Sequence, residues 1–354
     1  MKSGMRLGLT AAIGLIASIG DATSQTTVVR VGWCARTVSS AAAPFAVAMK
    51  MGWFEKAGIK VELVPVPGSG DCTKLVATKD VLFALPSAEP VLVIRQQGAD
   101  IKFFYTAYQG NIYGYAVPAD SDIKSVADLK GKKVGVIGMG SAGAIVARAL
   151  AAEAGIDPLK DISIVVAGEG AQTAALLAGK QIDALSQFDT QYAMVANAGV
   201  PLRLLDHPGI KNFPSNGFIA LADQLKDKRK EAVAMAKGYA MGTAFAMANP
   251  EAAVRILWEV YPQTKATGKD EATALRDDVS TLNARARSWN YQAVGAKRWG
   301  DNVEANYTPY IEWLHKNGVI KDKIPTSDVI TNDLIDDINA FDTPAIQAAA
   351  KAYK

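Results

Sequence analysis

The sequence predicts an α/β protein with two lobes, a ligand cleft between the lobes and a helical C-terminal tail. Three observations lead to this prediction. Short apolar segments alternate with helical patterns over roughly the first two thirds of the chain, which is typical of parallel sheets covered by helices on both faces. The alternation breaks and restarts once, after Val117. Beyond residue 222 the strand candidates end, and alanine-rich helical patterns continue to the C-terminus.

The strand candidates are short runs rich in β-branched and aromatic residues. In chain order they are Thr27–Trp33, Lys60–Val66, Asp80–Leu85, Ile101–Tyr105, Lys133–Ile137, Ile162–Val166, Ala184–Gln187 and Phe218–Leu221. The helical patterns between them are Ala42–Gly52, Cys72–Val76, Pro90–Gln97, Ser141–Gly155 and Ala171–Ala178. The tail predicts the helices Asp223–Ala248, Pro250–Tyr261, Lys269–Trp289, Lys297–Asn317, Ser327–Asn339 and Pro344–Tyr353.

The break in the pattern predicts where the chain passes between the lobes. An aromatic-rich, partly extended stretch, Ile101–Val117, precedes it, and a second α/β unit follows. We therefore assign residues 25–112 to the first part of lobe 1, residues 113–217 to lobe 2, and residues 218–354 to the second, mainly helical part of lobe 1. Ligands bind outside the carboxyl ends of strands in open parallel sheets. Two facing lobes then form a cleft, and the crossings act as hinges.

The N-terminus has the layout of a secretory signal peptide over residues 1–24. Lys2 and Arg6 precede the uncharged apolar run Leu7–Ile19, and small residues follow. The run is short for a membrane span, although an uncleaved anchor is the alternative. We expect the mature chain to begin near Gln25 and to reside in the periplasm. A lipid anchor is not expected, because no cysteine closely follows this region.

Charge and cysteine content exclude several classes of protein. The formal net charge is +3, and no basic run is present, which argues against nucleic-acid binding. The two cysteines, Cys34 and Cys72, form neither a C-x-x-C motif nor a zinc cluster with histidine. In an oxidising compartment a disulfide between them is the first interpretation, and two buried free thiols are the alternative.

A G-x-G-x-x-G motif, Gly138–Gly143, joins a predicted strand to a predicted helix. This motif is typical of dinucleotide-binding folds, and Glu169 is the nearest candidate for the acid that such folds place on the ribose. The motif alone is weak, however, and an exported chain meets little NAD. We expect no cofactor here. The alternative is a tight turn at Gly140, a helix cap at Ser141, and free N–H groups that receive an anion or a polar oxygen.

Four stretches together resemble a known family. They are "AVAMKMGWFEKAGIKVELV" (Ala46–Val64), "SVADLKGKKVGVIGMGSAG" (Ser125–Gly143), "AALLAGKQIDAL" (Ala174–Leu185) and the tail "WNYQAVGAKRW … YIEWLHKNGVI" (Trp289–Ile320). The chain is similar in these stretches to periplasmic solute-binding proteins of ABC importers, in the group associated with nitrate, sulfonates, taurine and thiamine-type pyrimidines. The resemblance implies a type II two-lobe fold, export, and a membrane permease with its ATPase as partners. It does not identify the solute, and we expect a monomer.

Candidate ligand contacts come from the predicted strand ends. Trp33 offers a stacking face, with core packing as the alternative, and Arg36 offers a forked partner for a carboxylate or sulfonate, with a solvated loop charge as the alternative. Glu89 and Asp189 are either helix-terminal acids or acceptors for N–H groups of a ligand. The predicted set is Trp33, Arg36, Thr37, Ser69, Ser87, Glu89, Gly140, Ser141, Ala142, Gln187 and Asp189.

These residues predict binding rather than chemistry. The sequence contains two histidines and two cysteines, and it lacks nucleophile, P-loop and metalloprotease motifs. We expect capture of a small organic solute by hinge closure, with no metal and no catalysis. A solute with both an anionic group and N–H donors fits the predicted charges better than an inorganic anion. The alternatives are an enzyme on the same scaffold, such as a pyrimidine-synthesis relative, and a ligand-sensing partner of a membrane receptor.

Overall fold

The computed structural model describes Met1 and residues 26–354. The predicted signal peptide lies almost wholly outside the described residues. The strands are β1 (Thr27–Trp33), β2 (Ile59–Pro65), β3 (Phe83–Ala84), β4 (Ile101–Thr106), β5 (Tyr113–Pro118), β6 (Lys133–Val136), β7 (Ser163–Val166), β8 (Ala184–Phe188), β9 (Leu202–Leu204) and β10 (Gly217–Leu221).

The helices alternate with the strands first and then form the tail. They are α1 (Ala43–Lys50), α2 (Trp53–Lys56), α3 (Ser69–Ala77), α4 (Ala88–Arg95), α5 (Ala142–Glu153), α6 (Ala171–Ala178), α7 (Asp189–Asn197), α8 (Ala222–Asp227), α9 (Arg229–Ala248), α10 (Pro250–Val260), α11 (Glu271–Ala286), α12 (Glu304–Lys316), α13 (Thr326–Val329), α14 (Ile335–Ile338) and α15 (Thr343–Ala352). Short 3₁₀ turns cover 40–42, 126–129, 208–210, 262–264, 287–289 and 291–294. Among these described helices, none combines the length and apolarity that a membrane crossing requires.

Two five-stranded sheets define the two lobes. Lobe 1 contains the sheet with strand order β2-β1-β3-β10-β4, and lobe 2 contains the sheet with order β7-β6-β8-β5-β9. The chain enters lobe 2 between β4 and β5 and returns between β9 and β10. These sheets confirm the predicted two-lobe α/β fold. The predicted residue bounds of the lobes stay a prediction.

The sheets are mixed, whereas the sequence pattern predicted parallel sheets. β1 pairs in parallel with β2 and β3, but β10 is antiparallel to both β3 and β4. In lobe 2, β6 is parallel to β7 and β8, and β5 is antiparallel to β8 and β9. β5 and β10 are the first strands after the two crossings between the lobes. Each therefore runs opposite to the parallel strands of the sheet that it joins.

Lobe 1 has an aromatic core that holds the tail against the sheet. Phe45 of α1, Phe218 of β10 and Tyr239 of α9 are fully buried, and each pair of these rings has centroids 4.9 to 5.9 Å apart. α9 also packs against α15. α11 has a different role, because it packs against α10 of lobe 1 and against α7 of lobe 2. The tail therefore supports lobe 1 and also reaches the cleft.

Candidate ligand-binding site between the lobes

The two lobes touch where the first turn of α3 meets the glycine-rich loop before α5. The backbone N–H of Gly70 donates to the carbonyl oxygen of Gly140 over 3.1 Å. A Cβ atom at Gly70 would lie 2.5 Å from that same oxygen, which is too close for any side chain. The glycine at position 70 therefore permits direct backbone contact between the lobes, and the cleft is closed along this edge.

The glycine motif of the sequence is explained by packing as well as by this contact. A Cβ atom at Gly143 would overlap the carbonyl oxygen of Ser186, whereas one at Gly140 would meet no atom within 4 Å. The Ser186 hydroxyl also donates to the Gly143 carbonyl oxygen over 2.8 Å. The last glycine of the motif thus lets α5 lie directly on β8. Close packing of helix and strand requires a glycine there without any cofactor.

One cavity between the lobes, here called the cleft pocket, is lined by residues of both lobes. Its walls come from the end of β1, the loop before α1, both crossings, the start of α7 and the tail helix α11. Most of its lining is apolar or aromatic. The lining residues are Trp33, Cys34, Ala35, Ser39, Ala41, Leu85, Tyr108, Ile112, Tyr113, Phe188, Thr190, Asn216 and Arg285.

Arg285 is the charged residue of the cleft pocket, and its side chain is only 3% exposed. Its Nη2 atom lies 2.6 Å from Oδ1 of Asp189, and its guanidinium carbon lies 3.9 Å from the centre of the Tyr108 ring. The Nε and Nη1 atoms have no hydrogen-bond partner among the described residues. A buried donor without a partner is costly, so these two groups are suited to an oxygen of a bound molecule.

Asp189 is held by the protein itself rather than left for a ligand. Besides the Arg285 contact, its Oδ1 accepts the backbone N–H of Thr190 over 2.7 Å at the start of α7. Burial raises the pKa of the Asp189 carboxyl, and the positive charges of Arg285 and Arg287 oppose that shift. Asp189 therefore acts as the counter-ion of Arg285 and joins lobe 2 to the tail helix.

A second, smaller cavity, here called the helix pocket, adjoins the cleft pocket at Cys34, Tyr113 and Phe188. It lies at the N-terminus of α5, where Ser141 caps the helix by accepting the N–H of Ala144 over 3.4 Å. Gln187 is buried there, and its Oε1 atom has no partner among the described residues. The remaining lining residues are Gly68, Ser69, Ile137, Ser141, Ala142, Gly143, Ser186 and Gln187.

The structure brings about half of the predicted contacts to the two pockets. Those that line a pocket are Trp33, Ser69, Ser141, Ala142 and Gln187. The carbonyl oxygen of Gly140 instead receives the Gly70 N–H across the cleft. Trp33 is 5% exposed, and its indole N–H donates to the carbonyl oxygen of Thr37 over 2.8 Å. Its ring therefore both packs in the core and forms part of the pocket wall.

Arg36 and Thr37 are exposed and bind a residue of lobe 2. The Arg36 backbone N–H donates to Oε1 of Glu169 over 2.9 Å, and the Thr37 hydroxyl donates to Oε2 over 2.8 Å. The Arg36 side chain does not line either pocket; the guanidinium that does belongs to Arg285. Glu169, the candidate ribose acid of the dinucleotide interpretation, therefore forms a bridge between the lobes.

Ser87 and Glu89 lie behind the helix pocket. The backbone N–H of Ser87 donates to the Ser69 hydroxyl over 3.2 Å. Glu89 is fully buried and accepts the hydroxyl hydrogen of Tyr310, while its Oε2 atom has no partner among the described residues. Burial raises the pKa of the Glu89 carboxyl, and the hydrogen bond from Tyr310 opposes the rise. Glu89 supports the wall of the site and lines neither pocket.

The predicted disulfide is present and borders the site. Cys34 and Cys72 are bonded, with their Cα atoms 5.6 Å apart. The bond joins the loop after β1 to α3, and Cys34 lines both pockets. It therefore holds two neighbouring segments of the lobe 1 wall at a fixed separation.

Arg285 is the main site residue that the strand-end argument missed. The periodicity of α11 contains a weak signal, because Arg285 follows Thr281 and Leu282 at helical spacing and all three are buried. An arginine on the buried face of a helix requires a partner. The sequence offers no indication, however, that this face meets the cleft rather than lobe 1.

Together, the two sheets and the cleft between them define a two-lobe α/β protein with the fold of periplasmic binding proteins. A family model described as "NMT1/THI5 like" matches residues 39–253, which is more than half of the chain. The protein therefore belongs to the NMT1/THI5-like family. The resemblance seen in the sequence is confirmed.

Among curated proteins, the chain is 27% identical over 297 residues to the riboflavin-binding protein RibY of Chloroflexus aurantiacus, covering 83% of this chain and 82% of the relative. It is 26% identical over 295 residues to a 4-amino-5-hydroxymethyl-2-methylpyrimidine phosphate synthase of Uromyces fabae, covering 76% and 84%. These relatives include a protein named for binding and one named for synthesis.

Solved structures show the same fold. The alkanesulfonate-binding protein SsuA of Xanthomonas axonopodis pv. citri, bound to MOPS, superposes with a TM-score of 0.64 at 17% identity, covering 86% of this chain and 98% of that one. The periplasmic nitrate-binding protein NrtA of Synechocystis PCC 6803 superposes with a TM-score of 0.62 at 18% identity, covering 93% and 99%. At such identities the likeness concerns the fold.

Proposed function

We propose that this protein is the exported solute-binding component of an ABC importer, which captures a small organic solute between its lobes in the periplasm and delivers it to a membrane permease and its ATPase. The observation that carries this proposal is a pocket lined by both lobes while the lobes are in contact. A solute that contacts both lobes in such a pocket favours the closed arrangement, so ligand binding is coupled to closure.

The contacts across the cleft support binding by closure. Glu169 joins the lobes at the loop after β1, Gly70 joins them at α3, and Asp189 joins lobe 2 to Arg285 of the tail. The hydrogen bonds to Glu169 are exposed, and exposed hydrogen bonds contribute little each. We infer that a solute in the cleft pocket supplies the remaining stabilisation of the closed form.

The residues proposed to contact the solute combine predicted and newly found positions. The apolar walls contribute most of the buried area, while a few polar groups orient the ligand, as in other small-molecule sites. The proposed contacts are Trp33, Tyr108, Tyr113, Phe188 and Arg285 in the cleft pocket, with Ser69, Ser141, Ala142 and Gln187 in the helix pocket.

The test is thermal unfolding of the mature protein, from about Gln25, against a solute panel. The panel contains aminosulfonates, alkyl and aryl sulfonates, aromatic carboxylates, pyrimidines, nitrate and NAD. A ligand at 100 times its Kd adds about 2.7 kcal/mol to the free energy of unfolding. We expect a shift with one class of organic solute, and recovery of that solute unchanged by mass spectrometry. Conversion of the solute would establish the enzyme alternative instead.

A further inference from the structure

A second gap between the lobes, here called the back groove, runs beside α7 and α11. Its lobe 2 wall comes from α7 and β9, its lobe 1 wall comes from α11 and the turns that follow, and both crossings form its floor. Ile112 and Tyr113, where the first crossing enters lobe 2, line the back groove and also line the cleft pocket. The first crossing therefore separates two gaps that lie between the same two lobes.

The packing of α7 against α11 separates the two gaps as well. Arg285 lines the cleft pocket, whereas Asp189, its ion-pair partner at 2.6 Å, lines the back groove. At the other end of α7, Nδ2 of Asn197 donates to the carbonyl oxygen of Asp277 over 2.9 Å. The two helices and the first crossing thus form one seam between the lobes, with the cleft pocket on one side and the back groove on the other.

Rotation about this seam links the widths of the two gaps. In hinge motions each lobe moves as a nearly rigid body, and a few residues of the crossings absorb the change. A rotation that opens the cleft pocket therefore brings the walls of the back groove together. The walls have room to approach, because they carry small side chains at Ala193 and Ala196 of α7 and at Ser280 and Ala284 of α11.

Narrowing of the back groove buries apolar surface that the closed form exposes. Leu204 of β9 lines the back groove and is 61% exposed, and Val279 lines the opposite wall. Opening exposes the aromatic walls of the cleft pocket to water, which is unfavourable, whereas burial of Leu204 in the narrowed groove is favourable. The side chains of the back groove therefore offset part of the free energy that opening costs.

We propose that the back groove is a second contact surface between the lobes, which narrows as the cleft opens and so sets the balance between the open and closed forms. This inference rests on the proposed capture by closure and deepens it, because side chains of the back groove control the affinity for the solute without touching it. A group that fills the back groove favours the closed form. Loss of apolar surface from its walls has the same effect, because it makes opening less favourable.

Small-angle X-ray scattering of the solute-free mature protein tests the inference, together with calorimetric titration of the solute found in the thermal panel. Ala196→Trp places a large ring between the walls of the back groove. We expect its radius of gyration to fall toward that of the solute-bound protein, and its Kd to fall about threefold or more, because the closed form is more populated. Leu204→Ala removes part of the apolar surface that narrowing buries, so its Kd should fall by about twofold.

Matched controls are Ala198→Trp and Leu159→Ala, two exposed positions of lobe 2 that do not line the back groove. If a solute compacts the wild-type protein while both groove variants leave the radius of gyration and Kd unchanged, the inference is overturned and the binding function stands. Equal shifts in the controls would overturn it too. If no solute of the panel compacts the wild-type protein, capture by closure fails, and the scattering of the solute-free variants still decides whether the back groove sets the balance of the lobes.

Discussion

Reduction of the Cys34–Cys72 disulfide tests how lobe 1 is stabilised. The bond closes a loop with a sequence separation of 38. Closing a loop of this length lowers the conformational entropy of the unfolded chain, which stabilises the folded state by about 4 kcal/mol at 25 °C. Unfolding entropy is about 2.1 cal/mol/K per residue, so a chain of about 330 residues should lose about 6 °C in Tm when the bond opens.

The assay is calorimetric unfolding with and without a reductant. The sequence contains two cysteines, so the reductant has a single covalent target, and a thiol titration counts the groups released. The Cys34→Ser/Cys72→Ser variant serves as a control, because its Tm should equal that of the reduced protein and should not respond to reductant. A Tm that changes by less than about 1 °C after both thiols are shown to be free would refute the loop-entropy reasoning.

Three further predictions concern the lobes and their packing. Gly143→Ala should lower the free energy of unfolding by about 3 kcal/mol in denaturant titrations, because the new Cβ overlaps the Ser186 carbonyl oxygen. Gly140→Ala should change the free energy of unfolding by less than about 0.5 kcal/mol, and equal effects of the two substitutions would disprove the packing argument. Glu169→Ala removes two exposed hydrogen bonds between the lobes, which together contribute about 1 kcal/mol. A bound solute should therefore dissociate about fivefold faster in stopped-flow experiments, whereas a change at the exposed Glu153, Glu153→Ala, should have no effect. Burial lowers the pKa of His207, whose Nε2 accepts the Tyr115 N–H, so the folded state binds fewer protons and the free energy of unfolding falls as the pH drops below about 6.5. His207→Gln should reduce this pH dependence in denaturant titrations between about pH 7.5 and 5.5, whereas His315→Gln should retain it.

The sequence predicted the bounds of a helix or strand well where the element's own hydrophobic pattern or an adjacent turn residue determined its structure. β1 and α6 have the predicted bounds, and Pro250 begins α10 as expected. β5, β9 and α7 were missed, because β5 and β9 pair in sheets whose other strands lie far away in the chain. The tail was predicted as longer helices than it has, since 297–317 is helical only from Glu304, and 327–339 contains two short helices.

His207 shows the same limit of predictions made from local sequence patterns. The sequence setting of His207 is polar and turn-like, which is typical of an exposed side chain. The structure places it half-buried against β5, where its ring nitrogen accepts the Tyr115 N–H over 3.1 Å. A backbone donor from a different segment decides the environment of this ring, and no local pattern reports such a donor.

The sequence by itself determined the class of fold, the two-lobe plan and the position of Trp33, Ser69, Ser141 and Gln187 at strand or helix ends, while it left the disulfide as one of two interpretations. These properties follow from hydrophobic periodicity, turn chemistry and helix capping, which depend on neighbouring residues. Only the tertiary structure decided that Arg285 faces the cleft and that Glu169 joins the lobes. Both depend on how α11 and the turn after β7 pack against distant segments, and the free energy of such packing is a property of the assembled lobes rather than of any stretch of chain.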